Sequence, residues 1–473
     1  MSTPIEKPTV IIVGAGLGGL MLGALLEKSG VPYIIFERAT TVKPLGSAMS
    51  IGPTLLPIFQ QIGVYDDILA IGKYMTHTET FKETLEPYKP QDYRAIEEYT
   101  GYGHYIVARP KYYDVISKTV PAHKIHFGKR VTNITEKDNK VTVHLSNNET
   151  FEGDIVVGAD GAYSFVRQNM YEKLLAKGNL PASDQEDLPF NVICLVGQTK
   201  PLDDKEFPCI NNETSQFRIT LADDKPYSWA TLTTSQNTLC YMLMNHLPKT
   251  STKAEVDKKN QDSENSGWGP EAAQTMIDET RHFPIEFSDG KKHTLGELYD
   301  LTPKELISKV SIEEKVFTTW HSGRVVLMGD ACHKLNPSGG HGAVTAMHDA
   351  IALANLIYAM PTKTQEDITT IFEEYHKERL PAVMESFENS QVMSKLTDRG
   401  IAGTMYRFLI TRMPVWLWRL ALTKTVHFRP QVGFLKAIPL QGTIVPFVSP
   451  SEQKARVVYE KQQEVAAVNA ASV

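Results

Sequence analysis

Three turns in the sequence carry residue types that suit nucleotide chemistry. Gly14, Gly16 and Gly19 stand in G-x-G-x-x-G spacing directly after the apolar run Val10 to Val13. Gly14 permits a tight turn, Gly16 lets backbone approach a pyrophosphate, and Gly19 lets a helix pack closely on a strand. The helix that follows offers unpaired N–H groups and partial positive charge to phosphates. Glu37 closes the next apolar run, Tyr33 to Phe36, where a carboxylate can accept hydrogen bonds from ribose hydroxyls and repels a 2′-phosphate. A glycine fingerprint alone also opens ordinary helices. With strand, helix, second strand and terminal acid in register, the reading is dinucleotide binding. Two further apolar runs end in similar turns: Ile155 to Val157 before Asp160-Gly161, and Val325 to Met328 before Gly329-Asp330. A Gly-rich turn, Pro337 to Gly342, then leads into an Ala-rich helix bearing Asp349.

The surrounding chain must bring these turns together. Short apolar runs read as buried parallel strands, and the Leu/Met/Ala-rich stretch after Gly16 reads as a helix capped by Gly30. Pro44 to Gly63 reads as a loop entering a helix, with Gly46, Ser47 and Ala48 small enough for backbone to lie against a ligand. Residues 73–103 are a polar and aromatic excursion from the nucleotide-binding part. Arg109 falls between a short strand and a helix, as either a phosphate or adenosine clamp or a solvated helix-start residue. Val131, Ile134, Val141, Val143 and Leu145 alternate with polar residues about Asp138-Asn139, which predicts a β-hairpin. Between about 180 and 310, strand-like pieces with turn signals at Asp223-Asp224 and Ser235-Gln236-Asn237 predict a largely antiparallel second domain. Lys249 to Gly269 is polar and reads as a mobile loop within it. A helix is expected over Ile368 to Lys395, and the tail from Gly403 to Val448 mixes aromatics with Arg. That tail suits an interfacial amphipathic helix or a helix covering the domain junction.

Bulk properties exclude several classes. The 473 residues exceed one small core, and 42% hydrophobic with 22% charged residues is ordinary for a soluble globular chain. A net charge of −6 gives no basic field for nucleic acid. The first residues, MSTPIEKPT, lack a secretory pattern. Cys194, Cys209, Cys240 and Cys332 are scattered without a C-x-x-C pair, which fits reduced thiols. No metal is expected, and the setting expected is cytoplasmic, as monomer or homodimer, with optional peripheral contact between the tail and an internal membrane.

GAGLGG with Glu37, GADGAYSFVR and GDACHKLNPSGGHG, in this order, resemble the single-component FAD-dependent (class A) monooxygenases with the fold of 4-hydroxybenzoate hydroxylase. The resemblance runs from about residue 8 to 390. The form from Gly329 to Pro337 is most like the fungal branch that modifies terpenoids, indole diterpenes (paxilline-type) and meroterpenoids. It implies an α/β fold: a Rossmann-like FAD-binding domain (8–72, 104–178 and 311–390), an inserted, mainly antiparallel substrate domain (73–103 and 179–310) and a helical C-terminal segment (391–473). It further implies bound, non-covalent FAD and transient NAD(P)H. Gly14, Gly16 and Gly19 match the pyrophosphate positions, and Glu37 the ribose position. Ala48 and Arg109 match further FAD contacts, Asp160 and Gly161 the Asp-Gly motif, Asp330 the ribityl-side acid, and Gly342 with Ala343 the backbone beside the isoalloxazine. The sequence departs from the family where His341 replaces a common Gln, Val344 a common Asn, and His348 an acid before Asp349. His341 reads as a turn residue rather than a covalent flavin anchor.

The implied reaction is hydroxylation or epoxidation of a small hydrophobic or aromatic substrate through a flavin C4a-hydroperoxide formed with O₂. Arg218 and Tyr241, on predicted strands of the second domain, are candidate catalytic or substrate contacts; the competing reading has Tyr241 in the core and Arg218 solvated. Alternatives are an FAD-dependent reductase or dehydrogenase on the same fold, a halogenase suggested by Trp416-Leu417-Trp418, and a non-enzymatic FAD-binding or membrane-associated partner protein.

Overall fold

The computed structural model describes residues 6–471 apart from 43–46, 187, 189, 223–224, 248–269, 337–339 and 395–400. The loop expected at 249–269, the Asp223-Asp224 turn and most of the turn after Pro337 therefore lie outside the described residues.

The opening run forms the strand Val10–Val13, all of it buried, followed by the helix Leu17–Ser29. Gly30 ends that helix in the left-handed conformation, φ 66°, with its N–H turned back to Glu27 and Leu26 carbonyls. The strand sits inside a six-stranded sheet in the order His321–Ser322, Val325–Leu327, Ile155–Gly158, Val10–Val13, Tyr33–Phe36, Ile125–His126. Five of these run parallel, and His321–Ser322 pairs antiparallel at the edge. Helices cover one face, and the helix Phe165–Ala176 together with a three-stranded sheet covers the other, where Phe151 packs on Phe36 with ring centroids 4.8 Å apart, which is why the strands read as unbroken apolar runs. The helices Leu17–Ser29 and Gly342–Ala359 pack together at small residues, where a Cβ on Gly18 would lie 3.1 Å from Met328 and 3.3 Å from Ala346. The hairpin Val131–Lys137 and Lys140–Leu145 turns at Asp138 and Asn139, both at positive φ (50° and 60°), the geometry that matches strand twist.

A seven-stranded sheet stands apart from this one, in the order Ser308–Glu313, Phe190–Gln198, Leu239–His246, Tyr227–Thr233, Phe217–Leu221, His77–Lys82, Gln91–Asp92. All its pairs are antiparallel except His77–Lys82 with Phe217–Leu221. The 73–103 excursion thus supplies two of its strands. The edge strand Ser308–Glu313 carries this sheet past residue 311, so the return to the six-stranded sheet begins a few residues later than the sequence indicates.

Both faces of this sheet are covered. One face packs Ile193, Leu195, Trp229, Tyr241 and Leu243 against the helices Pro270–Thr280 and Leu295–Asp300. The other turns Phe217, Leu232 and Cys240 toward Ala48 and Ile106 of a three-stranded sheet, Ala48–Ile51, Tyr105–Ala108 and Gly72–Tyr74, beside the nucleotide loops. Farther along that same face lie Val192, Cys194, Val196, Met242, Met244 and Ile312. Beyond the long helix Gln365–Ser394 the chain forms helices Ile401–Thr411, Val415–Thr425 and Pro450–Ala471. The last returns to the first unit, where Ser451 N–H and Oγ–H donate to Glu378 and Lys454 pairs with Glu374 at 2.7 Å.

Candidate active site

Parallel register lines up the three turns. Val13 pairs with Phe36 on one side and Gly158 on the other, and Gly158 pairs with Leu327. Four strands therefore end in one row, delivering Gly14, Glu37, Ala159-Asp160 and Met328-Gly329 to one sheet edge. Ligands of open α/β sheets bind at this carboxyl edge.

At Gly14 the backbone has φ +108°, and a Cβ there would lie 2.4 Å from the Ala159 carbonyl oxygen. A Cβ on Gly19 would meet the Gly14 carbonyl oxygen at 2.1 Å. These two glycines are demanded by packing. Gly16 differs: it is the N-cap of Leu17–Ser29, no side chain caps that helix, and a Cβ would meet nothing within 4 Å. The same open space faces Gly161 and Gly342. Gly342 begins Gly342–Ala359, whose N-terminus also lacks a side-chain cap. Among the described residues, two helix N-termini without a side-chain cap thus open on the site, an arrangement suited to anionic or electron-rich ligand atoms.

Glu37 is held in place before any ligand arrives. Its Oε2 accepts from Ala15 N–H at 2.9 Å and its Oε1 from Ala39 N–H at 2.8 Å. Nearby, the Tyr113 hydroxyl is buried without a hydrogen-bond partner, and its pKa is pushed up to about 12 by burial and then by the Glu37 charge. Ala48 pairs with Ala108, and Arg109 N–H donates to the Ser47 carbonyl at 3.1 Å, so Ala48 and Arg109 share this mouth, with the Arg109 side chain exposed.

Asp160 does something the motif did not indicate. Its oxygens accept from Ser164 Oγ–H at 2.5 Å and Val166 N–H at 3.1 Å, capping the helix Phe165–Ala176, and burial pushes its carboxyl pKa upward. The carboxylate serves its own turn, while the backbone of Gly161, at φ +83°, is the open part. Arg167 joins this turn to the next one. Its guanidinium donates to the carbonyls of Ala162 and Ala331, each at 2.7 Å, and stacks 4.2 Å over Phe317. Asp330 is half-buried in the one-turn helix Gly329–Ala331.

Behind that turn lies a network that sequence reading missed. Asp349 Oδ2 accepts from Gly329 N–H (2.9 Å) and His333 Nε2–H (2.6 Å), and its Oδ1 accepts from Arg379 Nε–H (2.8 Å). Burial alone would raise the Asp349 pKa; His333 and Arg379 override it and hold the carboxyl well below its ordinary range. Cys332, His333 and Asp349 lie close enough to suggest a metal group, but Arg379 already supplies the balancing charge, and burial keeps the Cys332 thiol well above its usual pKa. The only advance signal was Asp349 itself, an acid on the helix after a Gly-rich turn.

His341 and His104 lie close enough to influence one another's charge. His341 is exposed, yet enough protein surrounds it to pull its pKa down. Burial, and then the proximity of His341, pull His104 to about 4. His348 Nε2–H donates to the Thr54 carbonyl at 3.1 Å, and burial draws its pKa to about 3.

Arg218 and Tyr241 are corrected by the structure. Both project to the sheet face turned away from the nucleotide loops. Arg218 is 5% exposed and spent on Glu79 (2.7 Å), the Glu286 carbonyl, Gln216 and Ser288, next to a cavity of about 460 Å³ lined by Glu79, Phe81, Tyr88 and Glu286. Tyr241 is fully buried against Tyr299 (centroids 5.4 Å apart) and over Gly197, where a Cβ would lie 2.2 Å from its hydroxyl. Alternation along each strand assigns the facing positions to Phe217, Ile219, Leu232, Cys240 and Met242 instead. The Trp416–Trp418 pair is on the outer tail, with Trp418 Nε1–H donating to the Asp92 carbonyl at 2.7 Å and Trp416 68% exposed.

Residues 7–286 and 291–390 match the family described as FAD binding domain. The chain belongs to that family. The glycine cradles that remain open at Gly16, Gly161 and Gly342 and the unpaired Tyr113 hydroxyl fit its dinucleotide. Among curated relatives, the FAD-dependent monooxygenase atmM of Aspergillus flavus is 24% identical over 446 residues, covering 91% of this chain and 87% of the relative. The FAD-dependent monooxygenase paxM of Penicillium paxilli is 25% identical, covering 85% of this chain and 80% of the relative. Among solved structures, a variant of Klebsiella pneumoniae HpxO complexed with FAD superposes with TM-score 0.65 at 19% identity, covering 89% of this chain and 98% of that one. CtdE in complex with FAD and substrate superposes with TM-score 0.64 at 15% identity, over 89% and 98% of the two chains. These likenesses show a shared fold.

Proposed function

We propose that this FAD-dependent monooxygenase takes electrons from NAD(P)H and inserts one oxygen atom of O₂ into a small hydrophobic or aromatic substrate. The observation that carries the reading is the apolar sheet face, Val196, Phe217, Leu232, Cys240 and Met242, on the side of the second sheet that packs toward Ala48 and Ile106 beside the nucleotide loops. The open backbone at Gly16, with Gly14 and Gly19 shaping the turn, receives the pyrophosphate, and Glu37 the adenosine ribose. Ala48 and Arg109 border the adenosine half, Asp160 and Gly161 line the edge by backbone, Asp330 meets the ribityl chain, and Gly342 and Ala343 present N–H groups to the ring. Bound FAD supplies the redox and oxygen chemistry.

The chain's own task is positioning and exclusion. The facing sheet offers no charged side chain among Val196, Phe217, Ile219, Leu232 and Met242, so a substrate held there displaces water and is oriented by shape. His104 and His341, both drawn toward the neutral form, can accept or donate a hydrogen bond near neutrality. An alkene needs no base there; a phenol gains from such an acceptor.

Product formation under air and under nitrogen tests the reading. Oxygenated product with air alone, together with NAD(P)H oxidation stimulated by an apolar substrate, is expected. Equal turnover without O₂ would replace it with the reductase.

A further inference from the structure

We propose that the outer faces of the tail helices Ile401–Thr411 and Val415–Thr425 dock on the surface of an anionic lipid bilayer. Six large apolar side chains stand open there: Met405 61% exposed, Phe408 51%, Leu409 57%, Val415 60%, Trp416 68% and Leu420 53%. Met405, Phe408 and Leu409 adjoin at i, i+3 and i+4 on one helix and Trp416 and Leu420 at i and i+4 on the other, and clustered exposed apolar side chains mark interaction surfaces. The exposure does not arise because the second helix has failed to pack. Its inner face is already seated on the helix Ala95–Thr100, with Leu422 and Val426 buried against Ala95 and Ile96, and Arg419 paired with Glu98 at 2.6 Å. What remains outside is a second apolar face on a helix that has used its first.

Charge selects the occupant. Between residues 401 and 449 the chain carries six basic residues, Arg407, Arg412, Arg419, Lys424, Arg429 and Lys436, and no Asp or Glu, although the whole chain has net charge −6. The exposed cations extend the apolar stripes. Trp416, Leu420 and Lys424 follow at i, i+4 and i+8, and Phe408 and Arg412 at i and i+4, with the Arg412 guanidinium 4.2 Å over the Phe408 ring. From the adjoining excursion, Lys89 Nζ reaches the Met413 carbonyl at 3.4 Å. Long basic side chains at the rim of an aromatic and aliphatic face are the pattern of an interfacial helix, the stems lying along the apolar layer and the heads among lipid phosphates. No helix among the described residues is long and apolar enough to cross a membrane, so the contact is with the surface.

The experiment is vesicle flotation of the full-length, flavin-loaded protein. The protein is expected to float with phosphatidylcholine vesicles containing roughly a third phosphatidylserine, to remain behind with phosphatidylcholine alone, and to be released by high salt. The triple variant Phe408→Ser/Trp416→Ser/Leu420→Ser loses at least about tenfold in partitioning while keeping its FAD, and Arg412→Gln/Lys424→Gln loses binding to anionic vesicles without touching the apolar face. Wild-type protein that ignores anionic vesicles, floats equally with neutral ones, or partitions like the triple variant overturns the proposal. So does a lipid-free dimer that the triple variant converts to monomer, which would assign the face to a second copy of the chain.

Discussion

Replacing Glu37 by Gln isolates the role proposed for one side chain. In the wild type both carboxylate oxygens are braced by backbone N–H groups, at 2.9 Å from Ala15 and 2.8 Å from Ala39. A glutamine has one acceptor oxygen, so its NH₂ group must face one of those donors and that brace is lost, at about 1 kcal/mol. On the ligand side, a hydroxyl donating to a carboxylate contributes about 1.5–3 kcal/mol, against about 0.5–1.5 kcal/mol for a neutral acceptor. Two ribose hydroxyls therefore lose roughly 2–3 kcal/mol together, which weakens FAD by about 30- to 150-fold, the lost brace being common to the free and the bound protein. The assay is fluorescence titration of flavin-free protein with FAD, with circular dichroism confirming a folded variant. FMN, which lacks the adenosine ribose, should bind wild type and Glu37→Gln alike. Glu37→Arg, which accepts nothing and brings a cation, should emerge from gel filtration without flavin. A Glu37→Gln protein whose FAD affinity stays within about threefold of wild type would refute the ribose assignment.

Gly14→Ala forces a side chain into φ +108° with its Cβ 2.4 Å from the Ala159 carbonyl oxygen, and should cost about 2–5 kcal/mol in denaturant unfolding; a loss under about 1 kcal/mol would mean the turn relaxes freely. Gly342→Ala meets open space, so it should leave the flavin-free protein as stable as wild type yet raise the FAD dissociation constant; unchanged affinity would put the ring elsewhere. Asp349→Asn leaves the buried Arg379 without its anion, at about 3–5 kcal/mol of stability, measured by urea unfolding, and a near-neutral variant would contradict the ion-pair reading. The folded pKa of His104, about 4, lies below its unfolded value, so the unfolded chain binds more protons between pH 6.5 and 4. Stability therefore falls as pH drops through that window, by up to about 3 kcal/mol from this residue, and His104→Gln should flatten the profile there; a profile unaltered by the substitution would place His104 in solvent.

The stretch Val10 to Glu37 was legible because every local rule pointed the same way: an apolar run, three glycines, a capped helix, a second run and an acid in register. The hairpin about Asp138-Asn139 was legible for a similar reason, since two residues tolerant of positive φ sit between alternating strands. The facing side of the seven-stranded sheet was not. Helices cover its outer face and the nucleotide-binding unit its inner face, so both sets of alternate residues are apolar and parity carries no signal. Tyr241 and Arg218 thus lie on the outer face, one position away from the inner-face Cys240 and Phe217. The contact of Asp349 with His333 and Arg379 was not legible because the three meet only in space, and the role of Asp160 was not because a motif records residue type without saying whether the carboxylate faces a ligand or its own helix.

The placement of these buried contacts explains how three turns separated by long insertions act as one surface. Parallel register brings the strand ends level, but level ends alone leave each turn free to move. Glu37 fastens Ala15 to the second strand's exit, Arg167 fastens the Asp160 turn to Ala331, and Asp349 fastens Gly329 to the helix that begins at Gly342. Each fastening uses a charged group on backbone N–H or C=O, so it fixes the main chain where the ligand contacts are themselves main chain. The glycines can then stay bare toward the ligand, because their order comes from neighbouring side chains instead of their own. On this argument, mutations at Arg167 or Asp349 should disturb flavin affinity although neither side chain lies at the open glycine surface.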